Sequence, residues 1–103
     1  MILIYTVCKS KAEAKKIANV LLKLSLIACA NWWQVESGCH WKNKIVSGRE
    51  VVMILKTRNN YYRKVEGLIK KIHSYEVPCI VRINPDKVSS EYQQWLLKET
   101  RMV

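Results

Sequence analysis

The chain has 103 residues and a mass of 12.1 kDa, and half of its residues are apolar. A chain of that size buries roughly two thirds of its unfolded surface, enough for one core and so for one domain over residues 1–103. No stretch approaches the roughly 18 apolar residues of a membrane span, and the apolar start at residues 2–7 lacks a basic flank and a cleavage site. The expectation is a cytoplasmic protein with no membrane partner.

Eighteen Lys and Arg against eight Asp and Glu leave a net charge of +10. That excess attracts nucleic acid, anionic lipid or acidic partners, but it governs encounter rather than function. The dense basic runs, residues 9–16 and 63–71, have the spacing of solvated helix faces, so a dedicated nucleic-acid surface is not expected. The four cysteines, Cys8, Cys29, Cys39 and Cys79, form no Cys-x-x-Cys pair. They read as reduced thiols, mostly buried.

Residues 1–8 (MILIYTVC) are β-branched and aromatic, which predicts a buried strand. Ser10 and Glu13 then form a Ser-x-x-Glu capping box, and Ala14, Ile17, Ala18 and Leu21 repeat at helical spacing. Strand character occupies residues 26–41 and 44–56, joined by a two-residue turn at Lys42 and Asn43. A turn there sets Trp41 against Lys44, Val35 against Glu50 and Cys29 against Lys56. Gly38 and Gly48 read as bulges that bend the ribbon. Asn59 or Asn60 starts a second helix with Tyr61, Val65, Leu68 and Ile72 inward. Pro78 precedes a last strand at residues 79–83, and Ser90 with Gln93 caps a terminal helix bearing Tyr92, Trp95 and Leu96.

The order strand, helix, strand, strand, helix, strand predicts an α+β fold. It is a ferredoxin-like βαββαβ antiparallel sheet with a long protruding hairpin and an extra C-terminal helix. The hairpin strands run about 45 Å, nearly twice the first strand, so the hairpin overhangs its own domain. Trp32, Trp33, Val35, Trp41, Ile45 and Val46 lie on that overhang, and an apolar ribbon with bare edges aggregates unless something covers it. Identical subunits are the simplest cover, which predicts a closed cyclic homo-oligomer.

Six blocks in order then resemble the CutA family, across essentially the whole chain. They are Tyr5 with Thr6, LIACAN at 26–31, Trp41 followed by Lys44 and Ile45, EVVMILKT at 50–57, HSYEVP at 73–78 and EYQQWL at 91–96. The resemblance implies a ferredoxin-like homotrimer, a role in tolerance of copper and other divalent ions, and no catalytic activity. It also implies Cys29 and His73 as metal-binding positions. This chain departs from the family pattern at Lys9, Asn43, Ser74 and Cys79, where proline, glycine, proline and glutamate are usual, and at Gln93 or Gln94 in place of leucine. The glutamate lost at Cys79 means that a family metal site does not transfer whole.

Copper or zinc prefers thiolate and imidazole, so Cys29, His73 and Cys79, with Glu76 as oxygen donor, form the candidate metal set. Forty-four residues separate Cys29 from His73 and six separate His73 from Cys79, which is no metal signature, so assembly depends on the fold or on neighbouring subunits. The structural alternatives are a small buried hydrophobe at Cys29 and a helix-terminal cation at His73. No metal is required for folding on this reading; copper or zinc is an optional ligand. A second function class is a small-anion sensor resembling PII signalling proteins, with Lys44, Lys56, Arg58 and Arg82 lining an intersubunit cleft. Charge-driven nucleic-acid binding is the third and weaker class. Enzyme chemistry finds no support in paired carboxylates or a Ser, His, Asp order.

Overall fold

The computed structural model describes residues 1–101. The elements are β1 (Ile2–Cys8), α1 (Lys11–Lys23), β2 (Cys29–Trp41), β3 (Lys44–Thr57), α2 (Tyr62–Ile72), β4 (Ile80–Ile83) and α3 (Ser90–Glu99). The strands form an antiparallel sheet in the order β2-β3-β1-β4. That is the ferredoxin-like split βαβ arrangement, with the long hairpin and the terminal helix added.

The first helix starts as its sequence dictates: Ser10 Oγ accepts the Glu13 N–H at 3.1 Å. Glu13 does not return the bond to Ser10, because its buried carboxylate accepts from Lys9 N–H at 3.0 Å and Ser74 N–H at 2.9 Å instead. Ala14, Ile17, Ala18 and Leu21 are all buried. The helix ends at Ser25, whose φ of 56° lies in the left-handed region. Leu26 N–H bonds Leu21 C=O and Ser25 N–H bonds Leu22 C=O, both at 3.0 Å. This is a Schellman closure, in which glycine is the usual residue.

The β2–β3 hairpin keeps one register from Cys29↔Lys56 to Trp41↔Lys44, with Val35 opposite Glu50 as expected. Lys42 and Asn43 turn the chain with φ of 50° and 64°. Two left-handed residues in succession are the type I′ solution, whose twist matches that of the strands. No residue is inserted along the ladder, so Gly38 and Gly48 are not bulges; they pair with Ser47 and Ser37.

The second helix begins later than expected, after a 3-10 turn at Asn59–Tyr61, and its buried residues are Val65 and Ile69. Leu68 and Ile72 flank that stripe, half-buried. The terminal helix is preceded by Ser89 rather than capped by Ser90; Gln93 N–H bonds the Ser89 carbonyl and no side chain caps the helix.

The core lies between the helices and one sheet face. It joins Ile2, Ile4 and Cys8 of β1 to Val51, Met53 and Leu55 of β3, beneath Ile17 and Leu21 of α1 and Val65 and Ile69 of α2. Trp32 packs partly against this core and so belongs to the helix side. On the other side of the sheet, alternation places Tyr5, Ile54, Trp33, Val35, Val46, Trp41 and Val81 on one surface. Of these, Trp33 is 48 %, Trp41 42 %, Val46 45 % and Val81 47 % exposed. Ile45, beyond the reach of both helices, is 81 % exposed. The molecule's longest dimension, 44 Å, matches the span of the hairpin at about 3.3 Å per residue.

The third helix reaches this open side at one end only. Lys56 Nζ lies 5.7 Å from the Tyr92 ring centroid, and Leu96 is fully buried. Arg58 fastens the helix end by donating to the Leu97 carbonyl and, at 3.1 Å, to Thr100 Oγ1.

A left-handed serine is strained where glycine is not. Ser25→Gly is therefore expected to raise the unfolding free energy by about 1 kcal/mol, read from urea midpoints. An unchanged or lowered midpoint contradicts the helix closure described above.

Candidate functional site

The chain's chemistry gathers around residues 73–79, the connection from α2 to β4. His73 ends α2 in extended conformation, with its ring turned back to the sheet. Its Nδ1 accepts the Tyr75 N–H at 3.0 Å, which leaves the proton on Nε2 for donation to the Val7 carbonyl at 2.7 Å. Glu13 of α1 holds the same connection through Ser74 N–H. Tyr75 then reaches across to β3 and donates its hydroxyl to Glu50 Oε2 at 2.6 Å. Burial and the Glu50 carboxylate both push the Tyr75 hydroxyl's pKa upward.

Cys8 Sγ, a Glu13 oxygen and a His73 nitrogen lie within 4.8 Å of one another, a metal-like grouping. The donor chemistry does not fit an ion. Burial, with the Glu13 and Glu50 charges, pushes the Cys8 thiol up to about 12, so it stays protonated and faces Met53 Sδ at 3.5 Å. Both Glu13 oxygens and both His73 nitrogens already hold hydrogen bonds. The trio is a junction that pins α1, the end of β1 and the 73–79 connection together.

Beside it, the overhanging hairpin and this connection enclose an open cleft of about 720 Å³. Tyr75, Glu76 and Cys79 line one wall, and Cys39, Trp41, Val46 and Glu50 line the other. Lys42 Nζ, at the hairpin turn, lies 3.5 Å from Glu76 Oε2 at the rim. Cys79 is exposed, and partial desolvation with the Glu50 charge raises its thiol pKa.

Of the candidate metal set, Glu76 and Cys79 share this cleft, and His73 lies behind its floor with both ring nitrogens occupied. Cys29 is elsewhere: it pairs with Lys56, which pairs with Leu3, at the far end of the sheet. It stands about 13 Å along the strands and about 14 Å across them from Cys79. The thiols are less hidden than their residue type suggests, since only Cys8 is buried, Cys29 is intermediate, and Cys39 and Cys79 are exposed. Cys39 lies on the uncovered overhang, and Cys79 falls before β4 rather than within it.

The anion candidates are also divided. Lys44 stands at the hairpin tip, whereas Lys56 and Arg82 lie at the opposite end of the sheet on its two different faces, and Arg58 follows the end of β3. Lys56, Arg58 and Arg82 lie 5.7, 5.3 and 5.9 Å from the rings of Tyr92, Tyr61 and Tyr62. Arg82 also donates to Asn84 Oδ1 at 2.8 Å and to Asn59 Oδ1.

The roles of three residues, Glu13, Glu50 and Tyr75, were not foreseen from sequence. Glu13 looked like half of a capping box, and its bonds to Lys9 and Ser74 exist only once α1 lies beside the end of α2. Glu50 and Tyr75, 25 residues apart, meet only through the sheet.

The Glu13 carboxyl is a test of the junction. Burial raises its pKa, but the hydrogen bonds from Ser74 and Lys9 outweigh this, and the net shift is below the ordinary value of 4.5. The folded state thus binds fewer protons than the unfolded state, so this contribution is complete above pH 4.5 and is lost as pH falls through the lowered folded value. Glu13→Gln should cost about 1–3 kcal/mol near neutral pH, and its deficit against wild type should shrink below pH 4.5. A deficit independent of pH contradicts the carboxylate's role; denaturant titration at several pH values measures it.

The whole chain compares closely with known proteins. Residues 2–99 match the family described as CutA1 divalent ion tolerance protein. A divalent-cation tolerance protein CutA from Pyrococcus horikoshii is 41 % identical over 98 % of this chain and 99 % of its own. The structure of a CutA from Archaeoglobus fulgidus, described as a periplasmic divalent cation tolerance protein, superposes with a TM-score of 0.95. It is 34 % identical over 98 % of this chain and 100 % of its own. The apo structure of a PII-like protein CutA from Nostoc gives a TM-score of 0.92 at 27 % identity, with complete coverage of both chains. On the extent of that match, and on the sheet order and overhanging hairpin it accompanies, the chain belongs to the CutA1 divalent ion tolerance family.

Proposed function

We propose that the chain acts as a homotrimer that contributes to tolerance of divalent metal ions, copper foremost, by binding the ion and not by catalysis. The observation that carries the assembly is the apolar surface on the open side of the sheet, continued onto a hairpin with no helix over it. A patch of that kind left in water favours association, and a closed ring of identical subunits covers each copy equally. The four free thiols suit a reducing compartment, which supports a cytoplasmic location.

For the ion, Cys79 and Glu76 offer a thiolate and a carboxylate from one cleft wall. Cys29, on the open side of the sheet, joins them only from a neighbouring subunit. His73 joins only by giving up one of its two ring bonds. Metal must displace the proton of a thiol whose pKa is raised, so affinity increases with pH.

Sedimentation equilibrium should give three times the 12.1 kDa chain mass at micromolar concentration; a stable monomer contradicts the assembly. Copper and zinc titrations followed by calorimetry should show tighter binding at pH 8 than at pH 6. Cys79→Ser should lose most of that binding. Retained affinity in Cys79→Ser together with Cys29→Ser removes these thiols from the site.

A second reading, a small-anion sensor of the PII-like kind, is favoured by Lys56 on the open face of the sheet, where a neighbouring subunit would complete a cleft, its Nζ 5.7 Å from the Tyr92 ring centroid. It expects a small carboxylate or phosphate metabolite to raise the melting temperature, and Lys56→Ala to abolish the shift. A flat metabolite screen counts against it.

A further inference from the structure

Basic residues occur in every segment, but the two dense runs, residues 9–16 and 63–71, are brought side by side by the fold. Before and along α1, Lys9, Lys11, Lys15, Lys16 and Lys23 are exposed, and α2 exposes Arg63, Lys64, Lys70 and Lys71. The two helices pack against each other on the same face of the sheet. This layer therefore displays nine of the eighteen cations, against two of the eight acids. Glu13 is buried with both oxygens bonded to backbone N–H groups, and Glu66 is engaged by Tyr62 at 3.1 Å and Lys70 at 3.7 Å. Seven of the ten net positive charges sit on one layer, and the rest of the molecule carries three.

We propose that the outer surface of α1 and α2 binds double-stranded nucleic acid through its phosphate backbone, without reading sequence. This surface is independent of the metal-binding proposal, which concerns the opposite face and the hairpin cleft. Like charges repel, so a second copy of the same face is not its partner; the complement is a dense anion. Eight of the nine cations are lysines, flexible point charges suited to phosphates rather than to the planar, bidentate reading of base edges. The α1 surface carries no aromatic side chain, and the one aromatic of α2, Tyr62, is half-buried with its hydroxyl on Glu66 and Arg82 against its ring. This layer therefore lacks a row of open rings for unpaired bases, which favours a duplex over a single strand.

A bilayer is the other polyanion of comparable size, but it fits less well. Amphipathic helices enter membranes with their apolar face, and here the apolar residues of α1 and α2 are buried against the sheet. Only Leu22 and Leu24, at one end of α1, are exposed apolar groups on this layer.

The test is fluorescence anisotropy of a duplex of about 30 bp, short enough to remain straight, titrated with the full chain between about 50 and 200 mM salt. Wild type should bind, with an affinity that falls steeply and linearly on a double-logarithmic salt plot. Reversing four helix-layer charges together, Lys15→Glu, Lys16→Glu, Lys70→Glu and Lys71→Glu, should weaken binding at least tenfold. The salt slope should fall by about 0.9 for each phosphate no longer neutralised. A control with the same charge change elsewhere, Lys44→Glu, Lys87→Glu, Lys98→Glu and Arg101→Glu, should retain most of the affinity. All eight side chains are exposed, and circular dichroism confirms that both variants fold. No binding at the lowest salt, or equal weakening in the control, overturns the proposal. So does binding to phosphatidylserine vesicles without binding to the duplex.

Discussion

Two strands of 13 and 14 residues are paired without interruption, while the strands beside them have seven and four. That mismatch is the constraint from which the rest follows. A ladder so long cannot be covered by helices of 13 and 11 residues, which rise only about 20 Å and about 16 Å. One end of the ribbon closes a core and the other stands free. The free end carries Trp41, Ile45 and Val46, over which no helix of the chain lies. Its inner surface becomes a cleft wall only because the 73–79 connection passes beneath it.

The position of that connection is fixed by hydrogen bonds rather than by apolar packing. Glu13 and His73 each spend two polar atoms on it or on the adjoining strand end, and Tyr75 ties it to Glu50. Burying a carboxylate and an imidazole is tolerable because every bond they require is supplied. The same arrangement divides the thiols by reactivity. Cys8, beneath the junction, is held protonated, whereas Cys79 stands on the solvent side of the same connection. Residues that resemble a metal set by type thus serve as scaffold, and the accessible donors, Glu76 and Cys79, line the neighbouring cleft.

Features decided by neighbours in sequence were legible. The dipeptide Lys42-Asn43 alone set the register of the whole hairpin, because a two-residue turn admits one pairing, and the stripe of α1 followed from its spacing. Features decided across the fold were not. Ser25 gave no sign of its left-handed conformation, since glycine usually marks it. The glycines suggested bulges, yet the ladder passes through both. Of the residues read as the inward face of α2, Val65 is fully buried and Tyr61, Leu68 and Ile72 pack half-buried against the core, while Ile69, which the reading passed over, is the second fully buried one. The exposure of Cys39 and Cys79 depends on where the hairpin overhangs and where β4 begins. Charge is the sharpest case: the two dense basic runs, 9–16 and 63–71, are legible in the sequence, but only the packing of α1 beside α2 joins them into one surface.

If the outer ribbon is covered by other copies of the chain, its amides are protected by the assembly. A two-stranded ribbon with no such cover is marginal in water and opens readily. Hydrogen exchange of the amides in residues 35–50, followed by mass spectrometry at micromolar concentration, measures this directly. Exchange as slow as that of the β1 amides in the core is the result expected of a covered ribbon. Exchange within seconds at residues 35–41 and 44–50, with β1 still protected, would show that the ribbon stands uncovered and would contradict the account.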